Sequence, residues 1–111
     1  MLEYLFANKN VEKILIYLSL HDKANASELK HAFSTSLDPI QKTLKKLEEG
    51  GLLVSFLEGR TRVFHWNPRY PFLHEIRALT EKCYKFLPLQ IQESYYQSTK
   101  RKRPRRTGKA L

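Results

Sequence analysis

SLDPIQKTLKKLEEGGLLVSFLEGRTRVFHW, residues 36 to 66, reads as a helix, a double-glycine stop and a hairpin with a basic tip. Leu37, Ile40, Leu44 and Leu47 recur at spacings of 3, 4 and 3, which gathers them on one buried side of a 3.6-residue spiral. At about 100° per residue the opposite side collects Asp38, Gln41, Lys42 and Lys45, with Lys46 on its flank. Gly50-Gly51 suits a helix C-terminus, because glycine adopts positive φ without a steric penalty. An apolar run from Leu52 to Leu57 follows, Glu58-Gly59 turns the chain, and Arg60 to Trp66 returns rich in Thr, Val, Phe and Trp. With Glu58 and Gly59 as the two turn residues, Leu57 opposes Arg60, Ser55 opposes Arg62 and Leu53 opposes Phe64. One hairpin face then carries Leu53, Phe64 and Trp66 at its base and Arg60 and Arg62 at its tip. The other carries Val54, Phe56, Thr61, Val63 and His65, apolar enough to require cover.

Upstream, Asn25 stands three residues before Glu28, the spacing of a reciprocal capping box, and opens a short helix with Leu29, Ala32 and Phe33 facing inward. That helix ends in Ser34-Thr35-Ser36. Ser36 suits the cap of the next helix, and Asp38-Pro39 with Gln41 suits it equally. Under either cap, a short helix, a three-to-four-residue turn and a longer helix with a polar outer face have helix-turn-helix spacing. The following hairpin makes the expected fold mainly α within the α+β class: a winged helix-turn-helix with a C-terminal helix and a basic tail.

The first helix is expected through Val11, Ile14, Leu15 and Leu18, after the apolar LEYLF of residues 2 to 6 and an irregular lead-in at Asn8 to Asn10. His21-Asp22-Lys23 reads as a loop. Beyond Asn67-Pro68 and Pro71, a long helix is expected through Phe72, Ile76, Leu79, Cys83, Phe86 and Leu87. Pro88 stops or kinks it, and Leu89, Ile91 and Tyr95 continue the stripe. Two terminal apolar helices exceed what one small core covers, so a two-fold homodimer through residues 2 to 18 and the helix after Pro71 is expected.

The 111 residues are 41% hydrophobic, enough for one domain with an ordinary core. The longest apolar run, Ile14 to Leu20, is well short of the roughly 20 residues of a bilayer span, and MLEYLF lacks the basic start of a signal peptide. A lone Cys83 allows no internal disulfide, which fits a reducing cytoplasm and a buried, inert thiol. The net charge of +9 is concentrated at one end. Residues 100 to 111 hold seven of the 20 Lys and Arg and no acid, leaving 13 against 11 in the rest. We therefore divide the chain into a domain over 1–98 and a tail over 99–111. Lys100, Arg101, Lys102, Arg103, Arg105 and Arg106 give that tail no apolar area to bury, so it is expected to be disordered until it meets a polyanion.

Over about residues 5 to 87 the chain resembles the ArsR-type winged helix-turn-helix transcriptional regulators of bacteria and archaea. LFANKNVEKILIYL, ASELKHAF, SLDPIQKTLKKLEEGGLL and EGRTRVFHWNPRYPF carry the likeness. The resemblance implies that Gln41, Lys42 and Lys45 form the major-groove face, Gly51 the helix-to-strand corner, and Arg60 and Arg62 the wing tip. Ser34 stands where such proteins often have glycine, and Thr35 where they have an aliphatic residue. Metal sensors of that family carry cysteine pairs or His and carboxylate clusters, and this chain has neither. His21, His31, His65 and His74 are scattered without ligand spacing.

The expected function is therefore sequence-specific binding of double-stranded DNA by a dimeric regulator, with no cofactor and no metal. Gln41, Lys42 and Lys45 would read bases, with Asp38 beside them. Ser36, Lys46, Arg60 and Arg62 would hold the backbone, and the tail would supply long-range attraction. Taken alone, Lys42, Lys45 and Lys46 read as a solvated face balanced by Glu48 and Glu49; the flanking short helix and hairpin favour nucleic acid. No nucleophile-base pair, phosphate loop or paired carboxylate is present, so no catalysis is expected. The rival is a protein-interaction module, an adaptor or an antitoxin-like partner, that uses Val54, Phe56 and Val63, with the tail on RNA or an acidic protein.

Overall fold

The computed structural model describes residues 3 to 6 and 8 to 97. In order these form α1 (Glu3–Phe6), α2 (Lys9–His21), β1 (Lys23–Asn25), α3 (Ala26–Phe33), α4 (Leu37–Glu49), β2 (Leu53–Glu58), β3 (Thr61–Trp66), α5 (Leu73–Phe86), α6 (Leu89–Ile91) and a π-helical turn over Gln92–Gln97. The result is mainly helical, with one three-stranded antiparallel sheet in the order β1-β3-β2. The helices α2, α3 and α4 and the β2-β3 hairpin take their structure from local signals that packing then completes, whereas β1 and the last turn depend on packing alone. No helix among the described residues is long and apolar enough to cross a membrane.

Helix α2 is the centre of the core. Ile14 to Leu18 are almost wholly buried, and α5, α4, α3 and the sheet surround them. The irregular lead-in expected at Asn8 to Asn10 is shorter than that. Asn8 is the cap, its Oδ1 accepts from the Asn10 amide at 2.7 Å, and Lys9 and Asn10 are already helical. At the other end Asp22 takes φ 69° and donates its N–H to the Leu18 carbonyl, which also accepts from the Trp66 indole at 3.2 Å. The loop expected at His21-Asp22-Lys23 is thus a single residue wide. From Lys23 the chain runs as β1, pairing Ala24 with Phe64 and Asn25 with Val63. Three residues are too few to show a period, but Ala24 is fully buried.

The capping box read from the sequence is present. Glu28 donates its N–H to Asn25 Oδ1 at 2.8 Å, and the Asn25 amide donates to Glu28 Oε1 at 2.9 Å. Leu29, Ala32 and Phe33 are buried as expected. The turn after α3 closes through Ser34 at φ 52°, with the Thr35 N–H donating to the Lys30 carbonyl at 3.2 Å. Ser36 takes the cap position of α4, although its hydroxyl makes no cap bond, and Pro39 becomes the third helical residue. Proline costs nothing there, since first-turn amides have no partner inside the helix. Ile40 and Leu44 are buried, whereas Leu37 is 37% exposed. The helix ends with the Leu52 N–H on the Leu47 carbonyl and the Gly51 N–H on Glu48, while Gly51 stands at φ 85°. These are the two bonds of a Schellman motif.

The hairpin register differs from expectation by two residues. Leu53 pairs with Trp66, Ser55 with Phe64, Leu57 with Arg62 and Glu58 with Thr61, so the turn is Gly59-Arg60. Gly59 carries positive φ and Arg60 does not, the pattern of a type II′ turn with glycine first. A shift of two preserves the faces because side chains alternate with period two. Leu53, Phe64 and Trp66 remain on the core side; Arg60 moves from a strand to the turn. On the other face Val63 is buried, whereas Phe56 is 58% exposed and its ring meets His65 at 5.6 Å.

Helix α5 packs along α2, with Thr80 and Cys83 buried and Thr80 Oγ1 2.6 Å from Ser19 Oγ. Pro88 ends it, as expected. Phe72 and Phe86, expected on the inner stripe, are 60% and 66% exposed, because Phe72 precedes the helix and Phe86 closes its last turn. The wider spiral of the π-helical turn buries Tyr96 instead of Tyr95. Tyr96 meets Phe33 and Tyr84 edge to face, and its carbonyl lies 2.9 Å from His21 Nε2. Burial, and then the Glu12 carboxylate, push the Tyr96 phenol far above the ordinary tyrosine range, so it stays protonated. The stripe of α2 is therefore covered within one chain. Leu5 of α1, Phe72 and Phe86 at the two ends of α5, and Leu89 of α6 are left exposed.

Candidate nucleic-acid interface

Between α4 and the β2-β3 hairpin lies an open groove of about 550 Å³. Gln41 and Lys45 line it from α4, Arg60, Thr61 and Arg62 from the hairpin, and Asn25, Ala26 and Ser27 from the start of α3. Leu37, Leu44 and Phe64 complete the lining together with Glu48. The placement follows from two local rules. Gln41 and Lys45 are four apart, one helical turn, so they stack on one edge of α4. Arg62 follows β3 alternation onto the same sheet face as Phe64. Three cations and one carboxylate thus share the groove, and all three cations reach the surface.

The other residues expected on the interface are not gathered there. Ser36 at the cap of α4 and Asp38, Lys42 and Lys46 on it are exposed but do not line the groove. Lys42 Nζ is 3.1 Å from Asp38 Oδ2 across one turn, with both side chains about three-quarters exposed. Among the described residues, Lys45, Lys46 and Arg60 hold no ion pair. Lys100, Arg101, Lys102, Arg103, Arg105 and Arg106 lie outside the described residues.

Four polar groove residues, Asn25, Ser27, Glu48 and Thr61, were not singled out from the sequence for a role in binding. Glu48 looked like a charge balancing the lysines, yet its Oε2 accepts from Ser55 Oγ at 2.6 Å, and Ser55 in turn accepts from Arg62 Nη1 at 3.0 Å. Ser55 was visible as the one polar residue among Leu52 to Leu57. Asn25 was read as a cap, and only the pairing of β1 with β3 carries it, with Ser27, to the groove. Among the described residues no group of three or more His, Cys, Asp or Glu side chains could hold a metal ion. Chemically, the groove offers two side-chain amides, two guanidinium groups, an ammonium and one carboxylate beside the apolar Leu37, Leu44 and Phe64, a set that donates hydrogen bonds to acceptors and, with three cations to one carboxylate, attracts anions. No protein-family model, curated protein or solved structure matches the chain.

Proposed function

We propose that this chain is a sequence-specific, double-stranded DNA-binding transcriptional regulator of the winged helix-turn-helix type, ArsR-like in its arrangement, with α4 as recognition helix and β2-β3 as wing. The observation that carries the reading is the shared groove, in which Gln41 and Lys45 of a helix face Arg60 and Arg62 of a hairpin. An α-helix fits the major groove, where the Gln41 amide pairs with adenine edges and the Lys45 and Lys42 ammonium groups donate to guanine acceptors. Lys42 exchanges Asp38 for the base. With α4 so placed, the duplex backbone runs along the groove and meets Arg60 and Arg62. Ser36 and Lys46 lie toward the flanking phosphates, and the tail adds attraction without sequence information. Two chains meet through the exposed Leu5, Phe72, Phe86 and Leu89, which sets the recognition helices on half-sites about 34 Å apart.

The test is fluorescence anisotropy on a duplex selected from random sequence and on its scrambled counterpart. Gln41→Ala and Lys45→Ala are expected to lose about 1 to 3 kcal/mol on the selected duplex and little on the scrambled one. Equal binding of both duplexes by parent and variants would end the reading. Light scattering at micromolar concentration checks the dimer, which a strictly monomeric mass excludes. One observation favours a second reading, a protein-binding module. Phe56 and Leu57 are 58% and 62% exposed on β2, which has a neighbour on only one side among the described strands. Phe56→Ser that spares DNA binding but abolishes a protein complex would decide for it.

A further inference from the structure

Arg60 and Arg62 are two residues apart, yet they are held differently. Arg60 is a turn residue with no side-chain hydrogen bond or ion pair among the described residues. Arg62 ends a chain of hydrogen bonds that begins on α4: Ser55 donates to Glu48 Oε2 at 2.6 Å and accepts from Arg62 Nη1 at 3.0 Å. A serine hydroxyl has one proton to give and lone pairs to receive with. Giving the proton to a carboxylate polarises the oxygen, so it accepts more strongly from the guanidinium. No ion pair within 4 Å joins Glu48 and Arg62 among the described residues, which makes the hydroxyl the link between them.

We propose that Ser55 is a positioning residue: with Glu48 it fixes the Arg62 guanidinium at the wall of the groove, ordered before a backbone phosphate of the duplex arrives. The inference rests on the DNA-binding reading and adds a division of labour to it. Arg62 makes a fixed contact that sets the angle between hairpin and helix on the duplex, whereas Arg60 is a mobile one. One nitrogen of Arg62 is committed to Ser55, and the remaining donors of its fork stay available for a phosphate. Ser55 is polar within an apolar strand because an alanine there would leave Glu48 and Arg62 without their bridge.

The experiment compares the parent, Ser55→Ala and Ser55→Thr, each checked by thermal melting, for duplex affinity and for the ¹⁵N side-chain resonances of Arg62 without DNA. Ser55→Ala alters no charge. It is expected to melt within a few degrees of the parent, to average the Arg62 guanidinium signals, and to weaken binding about threefold to tenfold, the effect of ordering one long side chain anew. Ser55→Thr keeps the hydroxyl on a residue suited to strands and is expected to restore both readouts. In an Arg62→Ala background, Ser55→Ala is expected to cost nothing more. An equal loss in that background overturns the proposal, because Ser55 would then act elsewhere, and so does parental affinity in Ser55→Ala. Should the parent bind no duplex, the DNA reading fails on its own. The guanidinium signals then decide the positioning role: unchanged signals in Ser55→Ala overturn it, and averaged signals uphold it.

Discussion

Ser34 holds φ 52°, a left-handed conformation that costs a residue with a side chain roughly 1 to 2 kcal/mol relative to glycine. The turn between α3 and α4 demands that conformation, and the sequence meets it with a serine. Ser34→Gly is therefore expected to raise stability by about 0.5 to 1 kcal/mol, part of the gain being offset by the greater freedom of the unfolded chain. Urea denaturation measures it, and a loss would mean that the Ser34 side chain contributes more than its backbone costs. Within α4, Leu44 is 1% exposed whereas Lys45 lies on the surface. Leu44→Ala is expected to cost about 2 to 5 kcal/mol, and Lys45→Ala less than about 0.5. The reverse order in the same titration would turn the helix around. The Asp38–Lys42 pair, exposed on both sides, adds only about 0.3 to 0.5 kcal/mol, so it gives way readily to a competing partner. At this scale the inward Ile40 and Leu44 and the outward Gln41, Lys42 and Lys45 of α4 were legible from spacing alone, whereas Leu37, in the first turn, was expected inward and is exposed. The bonds from Glu48 to Ser55 and on to Arg62 were not, because their ends lie on different elements whose register the spacing does not determine.

Elements were recognised where they announce their own ends. Asn25 and Glu28 fix the start of α3 reciprocally, and Gly50-Gly51 fixes the end of α4; both are encoded within a few residues. Asn25→Ala is expected to cost about 0.5 to 2 kcal/mol by leaving an α3 amide without its acceptor, read as a lowered midpoint in thermal melting. The hairpin turn was harder, since Glu58-Gly59 and Gly59-Arg60 are both acceptable glycine turns and only strand packing chooses. Leu53 opposite Trp66 extends the pairing to the base of the hairpin, where Asn67 Nδ2 also donates to the Gly51 carbonyl at 2.7 Å. Strand β1 was illegible for a different reason. Its three residues acquire a strand's environment only from β3, more than 35 positions later in the chain. The π-helical turn similarly owes its form to Tyr96 reaching the core, a demand that a 3.6-residue count aimed at Tyr95 does not reveal.

Across the whole molecule charge and core are separated along the chain. Residues 1 to 99 are close to neutral, and the seven cations of 100 to 111 hold most of the excess. If those cations touch phosphates, deleting residues 100 to 111 is expected to flatten the slope of log K against log salt by up to about 6, equally on selected and scrambled duplexes. Loss of preference along with the slope would make the tail the reader. The apolar half of the molecule has a centre in α2 that was legible as a stripe. Its full enclosure by α5 and Tyr96 was not, since periodicity identifies a buried face without naming what covers it. That enclosure includes Cys83, 5% exposed, with its sulfur 3.8 Å from Glu12 Oε2 across the α2–α5 contact. The chain has no other cysteine, so the native fold carries a built-in stopwatch. A thiol reagent can react only when α5 lifts from α2, and the labelling rate counts those openings without any introduced probe. Comparing that rate in the presence and absence of a duplex would show whether contact at the groove is felt on the far side of the core.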